Sequence, residues 1–149
     1  MYVIDKPAPL ASQSSANHPD DALENALFAH LGCPEDFVYR PVNRLDKGTS
    51  GLMIVAKDSH AQNRLQKLLH SDDFARQYLA VVEGHLPARQ GVIDAPIGKE
   101  DAASIRRLVR EDGKPSVTHY EVLEETSTRS LVRLRLETGR THQIRVHMA

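Results

Sequence analysis

The chain has 149 residues, enough for one domain with a sizeable core, and its 40% hydrophobic and 26% charged fractions are those of an ordinary globular protein. A formal net charge of −1 argues against a strongly basic nucleic-acid binder. No apolar run approaches the ~20 residues of a membrane span, and Met1–Leu10 lacks the basic flank and apolar block of a secretory signal. The single cysteine, Cys33, cannot close an internal disulfide, which suits a reducing compartment and makes the cytoplasm the expected location.

In chain order, Tyr2-Val3-Ile4 reads as the end of a short strand broken by Lys6-Pro7-Ala8-Pro9. Asp20 is the expected N-cap of a helix from about Asp21 to Leu31, where Leu23, Leu27 and Leu31 recur every four residues and Gly32 stops the run. A loop follows from Cys33 through Pro41. Leu52–Ala56 is an apolar run suited to a buried strand, and Ser59 is the expected cap of a second helix with Leu65, Leu68 and Leu69 on one face.

From there strands dominate. Tyr78–Val82 ends at Glu83-Gly84, while Pro96-Ile97-Gly98 and Asp112-Gly113-Lys114-Pro115 are turn signals. Val117–Leu123 and Ser130–Glu137 are the next strands. In the latter, Val132, Leu134 and Leu136 alternate with Arg133 and Arg135, which makes one face buried and the other basic. Thr141–Met148 is expected to open a helix. The pattern is α+β, with a mainly antiparallel, mixed β-sheet and flanking helices.

Charge is unevenly spread. Residues 1–42 carry 2 Lys/Arg against 6 Asp/Glu, whereas residues 101–149 carry 9 against 7. A polyanion would meet a locally positive surface only on the later part of the chain, although solvated strand faces give the same count.

Three segments hold the chemistry. Arg44-Leu45-Asp46-Lys47-Gly48-Thr49-Ser50-Gly51 is a polar, glycine-bounded loop before a strand, where an aspartate ordinarily caps backbone N–H groups. It lacks the Gly-Lys-Ser/Thr order of a phosphate-cradling loop. Arg76–Gly84 opens with a tyrosine, Tyr78, of the kind that usually packs in a core. Thr138-Gly139-Arg140-Thr141-His142-Gln143-Ile144-Arg145-Val146-His147 spaces its histidines five apart, which fits no zinc motif, so no metal site is expected. Its two arginines suit a carboxylate or phosphate partner.

Together these segments resemble the RluA-type RNA pseudouridine synthase family. Arg44-Leu45-Asp46 with Thr49-Ser50-Gly51 is similar to the family's catalytic loop, Arg76-x-Tyr78-x-Ala80-x-Val82-x-Gly84 to its tyrosine strand, and Thr138–His147 to its third motif almost letter for letter. Lys6-Pro7 and Gly113-Lys114-Pro115-x-x-Thr118 also fall where the family has such residues. The resemblance runs from about Tyr2 to Ala149. Departures are Asn43 in place of the usual histidine, Arg76 in place of a common lysine, and Pro9 where glycine is usual. Relatives continue for several strands beyond Ala149 and some carry an N-terminal S4-like module. Residues 1–149 are therefore expected to form a pseudouridine synthase catalytic domain cut short at its C-terminus, without an S4 domain.

The resemblance implies an isomerase acting on ribosomal or transfer RNA that needs no metal and no cofactor; no membrane association and no obligatory protein partner are expected either. Asp46 is then the catalytic carboxylate, Tyr78 lies against the target base, and Arg145 pairs with Asp46 at roughly 2.7–3.2 Å to keep it ionised. Arg44 would fill the gap left by the extruded uridine, and Lys114, Arg133, Arg135 and Arg140 are candidates for RNA phosphates. Two other readings stay open. One is a non-catalytic RNA-binding module of the same fold, which has no need of Asp46. The other is a hydrolase using Asp46 with His142 or His147.

Overall fold

The computed structural model describes residues 1–69, 71 and 74–149. They fall into two compact units, Met1–Phe74 and Ala75–Ala149. In the first, β1 (Tyr2–Lys6), α1 (Leu23–His30), β2 (Gly51–Val55) and α2 (Ser59–Leu69) follow in order. β1 and β2 pair antiparallel, with Tyr2 opposite Val55 and Lys6 opposite Gly51. The chain at 40–43 also runs along β2. Val42 N–H donates to the Ile54 carbonyl and Ala56 N–H to that of Arg40, both at 2.8 Å. Asn43 continues this pairing with its side chain, accepting the Ile54 N–H at 2.8 Å and donating to the Leu52 carbonyl at 3.1 Å.

Four sequence expectations need correction in this unit. β2 is half-buried rather than buried, with Met53 and Val55 inside but Leu52 66% exposed. Strand alternation on a small sheet covered on one face forces this outcome. α1 begins after Ala22, not Asp20. The Asn25 side chain accepts the Ala22 N–H at 3.1 Å, and the Leu23 N–H is already taken by the Ala11 carbonyl at 2.8 Å. Asp58 rather than Ser59 caps α2, since its carboxylate accepts the Ala61 N–H at 2.7 Å. Leu65 and Leu69 pack with Val42 and Ala56, whereas Leu68 is exposed.

The second unit is built on a four-stranded antiparallel sheet. Its strands are β3 (Arg76–Glu83), β4 (Gln90–Asp94), β7 (Val117–Glu125) and β8 (Arg129–Leu136), in the order β3-β8-β7-β4. Between β4 and β7 the chain forms a ribbon of β5 (Ile97–Lys99) and β6 (Arg107–Val109), and α3 (Gln143–His147) follows β8. Ile97 and Gly98, expected in a turn, thus lie in a strand. The residues between Pro96 and Glu100 pair with β6 instead of reversing.

The alternation read in β8 holds. Val132 and Leu134 are fully buried, while Arg133 and Arg135 stand exposed. Tyr78, Ala80 and Val82 of β3, Ile144 of α3 and Met148 just after it pack on the same buried side, around Tyr120, Val122, Val132 and Leu134. Among the described residues the named strands pair antiparallel in three sheets, with a lone parallel bridge between Ala11 and Ala22, which bears out the α+β, mainly antiparallel reading.

The turn carrying Lys114 is pinned on both sides. Lys114 exchanges backbone hydrogen bonds with Ile97 at 2.9 and 3.0 Å, and Arg110 grips both carboxylate oxygens of Asp112 at 2.7 and 2.8 Å. Gly113 lies against backbone. A Cβ there would come within 2.6 Å of the Ile97 carbonyl carbon and 2.9 Å of Arg110 O and Gly98 N. Rigid main chain cannot yield cheaply, so Gly113→Ala should cost about 1–3 kcal/mol. Urea unfolding checks this as a lowered midpoint, and a midpoint equal to that of the parent protein would contradict the packing described.

Candidate active site

Asp46 is half-buried between buried Leu45 and exposed Lys47, and its own carbonyl accepts the Thr49 N–H at 3.0 Å to close the loop. Both flanking residues are held by the segment after β1. The buried Ser12 hydroxyl donates to the Leu45 carbonyl and accepts the Leu45 N–H at 3.1 Å. Leu10 N–H donates to the Lys47 carbonyl at 3.1 Å. Lys6, with no exposed surface, donates Nζ–H to the carbonyls of Leu10 at 2.7 Å and Pro7 at 3.0 Å. Burial pushes its ammonium below the ordinary lysine range, and the negative charge of Asp46 opposes that shift.

Lys47 points the other way, to His18 Nε2 at 3.3 Å, while His18 Nδ1 meets the Asp21 carboxylate at 2.9 and 3.0 Å. With Nδ1 carrying the proton, Nε2 is free to accept from Lys47. Arg44 is exposed at the start of the loop.

In the second unit the third motif is organised by a closed polar network. Gln143 Oε1 accepts from Thr138 Oγ1 and Arg140 N–H, both at 2.9 Å. Its amide donates to the Val117 carbonyl and Thr118 Oγ1, both at 3.0 Å. Thr118 then has one hydroxyl proton to give, and His147 Nδ1 stands 2.9 Å away to accept it. That fixes the proton on Nε2, which donates to the Ala95 carbonyl at 3.0 Å. Both ring nitrogens of buried His147 are therefore engaged within the protein. His142 is the residue before α3, with φ 59°. Arg145 lies on the exposed side of that helix, opposite the buried Gln143 and His147.

Arg140 donates Nε–H to the Pro115 carbonyl at 3.0 Å, placing its guanidinium beside the Lys114 turn. Arg76 braces the same region, donating to the Glu137 carbonyl at 2.6 Å and lying over Gly139. Arg133 and Arg135 are elsewhere. They project from the sheet face opposite Tyr78, beside Gln77 and His119, where an open depression of about 430 Å³ lies. Arg133 is paired there with Glu121 at 3.0 Å, its cross-strand neighbour. Asp46 and Arg44 thus belong to the first unit, and Tyr78, Lys114, Arg133, Arg135, Arg140 and Arg145 to the second. Sequence reasoning missed Ser12 altogether, because a lone serine in a loop carries no periodic signal. It noted Lys6 by position only.

Comparison with known proteins gives a consistent picture. Residues 1–149 match the family model described as RNA pseudouridylate synthase. Ribosomal large subunit pseudouridine synthase D of Escherichia coli (strain K12) is 46% identical over 151 residues, covering 100% of this chain and 46% of the relative. The protein of the same name from Xanthomonas campestris pv. campestris is 46% identical over 153 residues, covering 100% and 45%. Two solved structures resemble the chain over 97% of its length and 59% of theirs. Human RNA pseudouridylate synthase domain containing 4 does so with a TM-score of 0.74 and 28% identity, and domain containing 1 with 0.75 and 27%. The chain spans about half the length of the curated relatives it matches.

The scaffold behind the Asp46 loop includes Tyr39, whose hydroxyl donates to the Ser12 carbonyl at 2.7 Å. Burial, reinforced by the charge of Glu24, pushes the phenol up from 10.0 to about 12. Below pH 10 both the folded and unfolded forms keep the proton. Between 10 and about 12 only the unfolded chain releases it, so stability falls in that window. Tyr39→Phe should lower stability at neutral pH, through the lost hydrogen bond, and flatten this alkaline decline. Denaturation midpoints from pH 8 to 12 measure it, and equal alkaline slopes in both proteins would refute the assignment.

Proposed function

The chain belongs to the RNA pseudouridylate synthase family, and on that premise we propose that the protein isomerises uridine to pseudouridine in RNA, with ribosomal RNA as the substrate class. The relatives' name, ribosomal large subunit pseudouridine synthase, supports the choice of RNA. In the reaction the C1′–N1 bond breaks, the freed uracil turns within the site, and C5 bonds to C1′. C5 gives up its proton and N1 gains one, so no redox partner or external donor is consumed.

Asp46 is the carboxylate of this reaction, acting at C1′ as nucleophile or on the ribose as base. The observation that carries the reading is the convergence of hydrogen bonds on the two residues flanking Asp46. They fix a half-buried carboxylate in a loop that would otherwise be free to rearrange. Arg145 serves as the cation that keeps Asp46 ionised, and Tyr78 stacks against the target base and handles a proton through its phenol. Arg44 enters the gap in the RNA stack, and Lys114 and Arg140 contact phosphates from neighbouring turns. Arg133 and Arg135 meet a different stretch of RNA from the one at Tyr78, because the sheet separates them. Solution in the cytoplasm fits a ribosomal RNA modifier. Among the described residues no helix is long and apolar enough to cross a membrane.

The test uses the full-length protein and a ribosomal RNA transcript tritiated at uridine C5. Asp46→Asn keeps the side chain's shape and removes its charge. It should release no tritium while binding the transcript within about threefold of the parent, since the energy of binding resides in phosphate contacts. Normal tritium release by Asp46→Asn would end the proposal, and loss of binding in step with activity would make Asp46 a scaffold residue.

A further inference from the structure

The unit that holds Asp46, Met1–Phe74, carries 7 Lys/Arg against 10 Asp/Glu, yet its second helix has no acid at all. α2 reads Ser59-His60-Ala61-Gln62-Asn63-Arg64-Leu65-Gln66-Lys67-Leu68-Leu69. His60 to Arg64 and Asn63 to Lys67 are steps of four, and Arg64 to Lys67 is a step of three. The four side chains therefore share one stripe of the helix, and all are exposed. Among the described residues neither Arg64 nor Lys67 has an ion-pair partner, whereas Arg110 and Arg133 meet carboxylates at 2.7 and 3.0 Å.

A helix that only had to face water would gain from Glu or Asp placed three or four residues from its cations, because like charges at those spacings repel. Lys67, in the last turn, is favoured by the helix dipole, but Arg64 in the middle gains little from it. The helix itself is firmly seated. Leu65 and Leu69 pack with Val42 and Ala56, and the Gln62 amide donates to the Pro41 carbonyl at 3.2 Å. Beside the stripe lies an open groove of about 810 Å³, lined among the described residues by Val42, Leu69, Asn63, Gln66 and Lys67. Two aliphatic side chains, two amides and a cation offer contact for a ribose, hydrogen bonds for its 2′-hydroxyl and charge for its phosphate.

We propose that α2 is a second RNA-docking surface, in which Arg64 and Lys67 neutralise phosphates of the ribosomal RNA and the adjoining groove receives the attached sugar. The inference rests on the reading that the protein modifies ribosomal RNA, and it adds a surface outside the three motif segments. Arg64 and Lys67 stand about 4.5 Å apart along the helix axis, so their long side chains reach neighbouring phosphates of one strand. The Asp46 loop leads into β2 and α2 follows the other end of that strand, whose five residues span roughly 17 Å. The phosphates held by α2 belong to nucleotides other than the target, and the contact acts on affinity rather than on the bond changes at C1′.

The experiment measures Kd for the ribosomal RNA transcript over a series of KCl concentrations, and kcat and KM for tritium release, in the full-length protein. One double variant combines Arg64→Ala with Lys67→Ala, and a second combines Arg64→Lys with Lys67→Arg. Alanine is a good helix former, so α2 should persist in the first, and circular dichroism with melting temperature verifies it. The expected result is a Kd raised roughly 10-fold at about 0.1 M KCl, with log Kd less steep in log[KCl] by about 1 to 2, as two lost phosphate contacts require. KM rises in step, and kcat at saturating RNA stays within about threefold of the parent. The second variant keeps both charges and binds within about threefold of the parent. If the double-alanine protein does not fold, Arg64→Gln with Lys67→Gln replaces it under the same criteria. Parental Kd and salt slope in the charge-free protein overturn the inference, leaving the stripe to solvent or to an acidic protein. A lowered kcat with unchanged Kd overturns it too, because that marks a structural role. A parent protein that neither binds nor modifies the transcript defeats the functional reading as well. Normal modification by the parent beside a charge-free variant that binds equally well defeats this inference alone.

Discussion

The hydroxyl of Ser12 gives its proton to the carbonyl of Leu45 and takes the Leu45 N–H in return, so one small side chain saturates both main-chain groups of a buried residue. Asp46 comes next in the chain and inherits the direction that this bond pair imposes. On its other side Leu10 fixes Lys47, and Lys6 fixes Leu10. A loop between two short strands has many conformations to lose, and side-chain to backbone bonds of this kind offset that entropy without a large core. The chemistry proposed for Asp46 requires a carboxylate held still in a partly dehydrated place. The first unit provides the holding.

The second unit solves a similar problem by other means. Its third motif follows β8 and must turn sharply before α3, a helix of five residues too short to stand on propensity. Gln143 and His147 anchor it, one turn apart on the buried side, by drawing their partners from Thr138, Thr118, Val117 and Ala95. The residues of this motif thus divide in two. Gln143 and His147 hold the segment in place, while Arg140 and Arg145 remain available for partners beyond it. The same division runs through the sheet. Tyr78 shares the side that packs around Tyr120 and Leu134, and Arg133 and Arg135 occupy the reverse side with a local acidic partner.

How much of this was legible in the sequence depended on the range of the forces involved. Strand alternation is local, so Arg133 and Arg135 could be assigned to an outer face from period alone, and β3 and β8 emerged close to their limits. Helix starts were misplaced by one or two residues. Asp20 and Ser59 look like caps in isolation, but α1 starts after Ala22, whose N–H the Asn25 side chain accepts, and Asp58 caps α2. Ile97-Gly98 read as a turn because proline and glycine flank it, yet pairing with β6 overrides that local preference. Asp46 and the third motif stood out through family resemblance, not through any rule of spacing. Ser12 and Lys6 earn their roles across 33 residues in one case and through a relay of two bonds in the other, and no periodicity records such contacts.

The claim on which the functional reading stands is that this protein makes pseudouridine in ribosomal RNA. It is tested most directly by mapping pseudouridines at single-nucleotide resolution in RNA from cells with and without the gene. The expected result is the loss of one or a few ribosomal pseudouridines on deletion and their return when the intact gene is restored. Identical maps in the two strains, in ribosomal and transfer RNA alike, would contradict it.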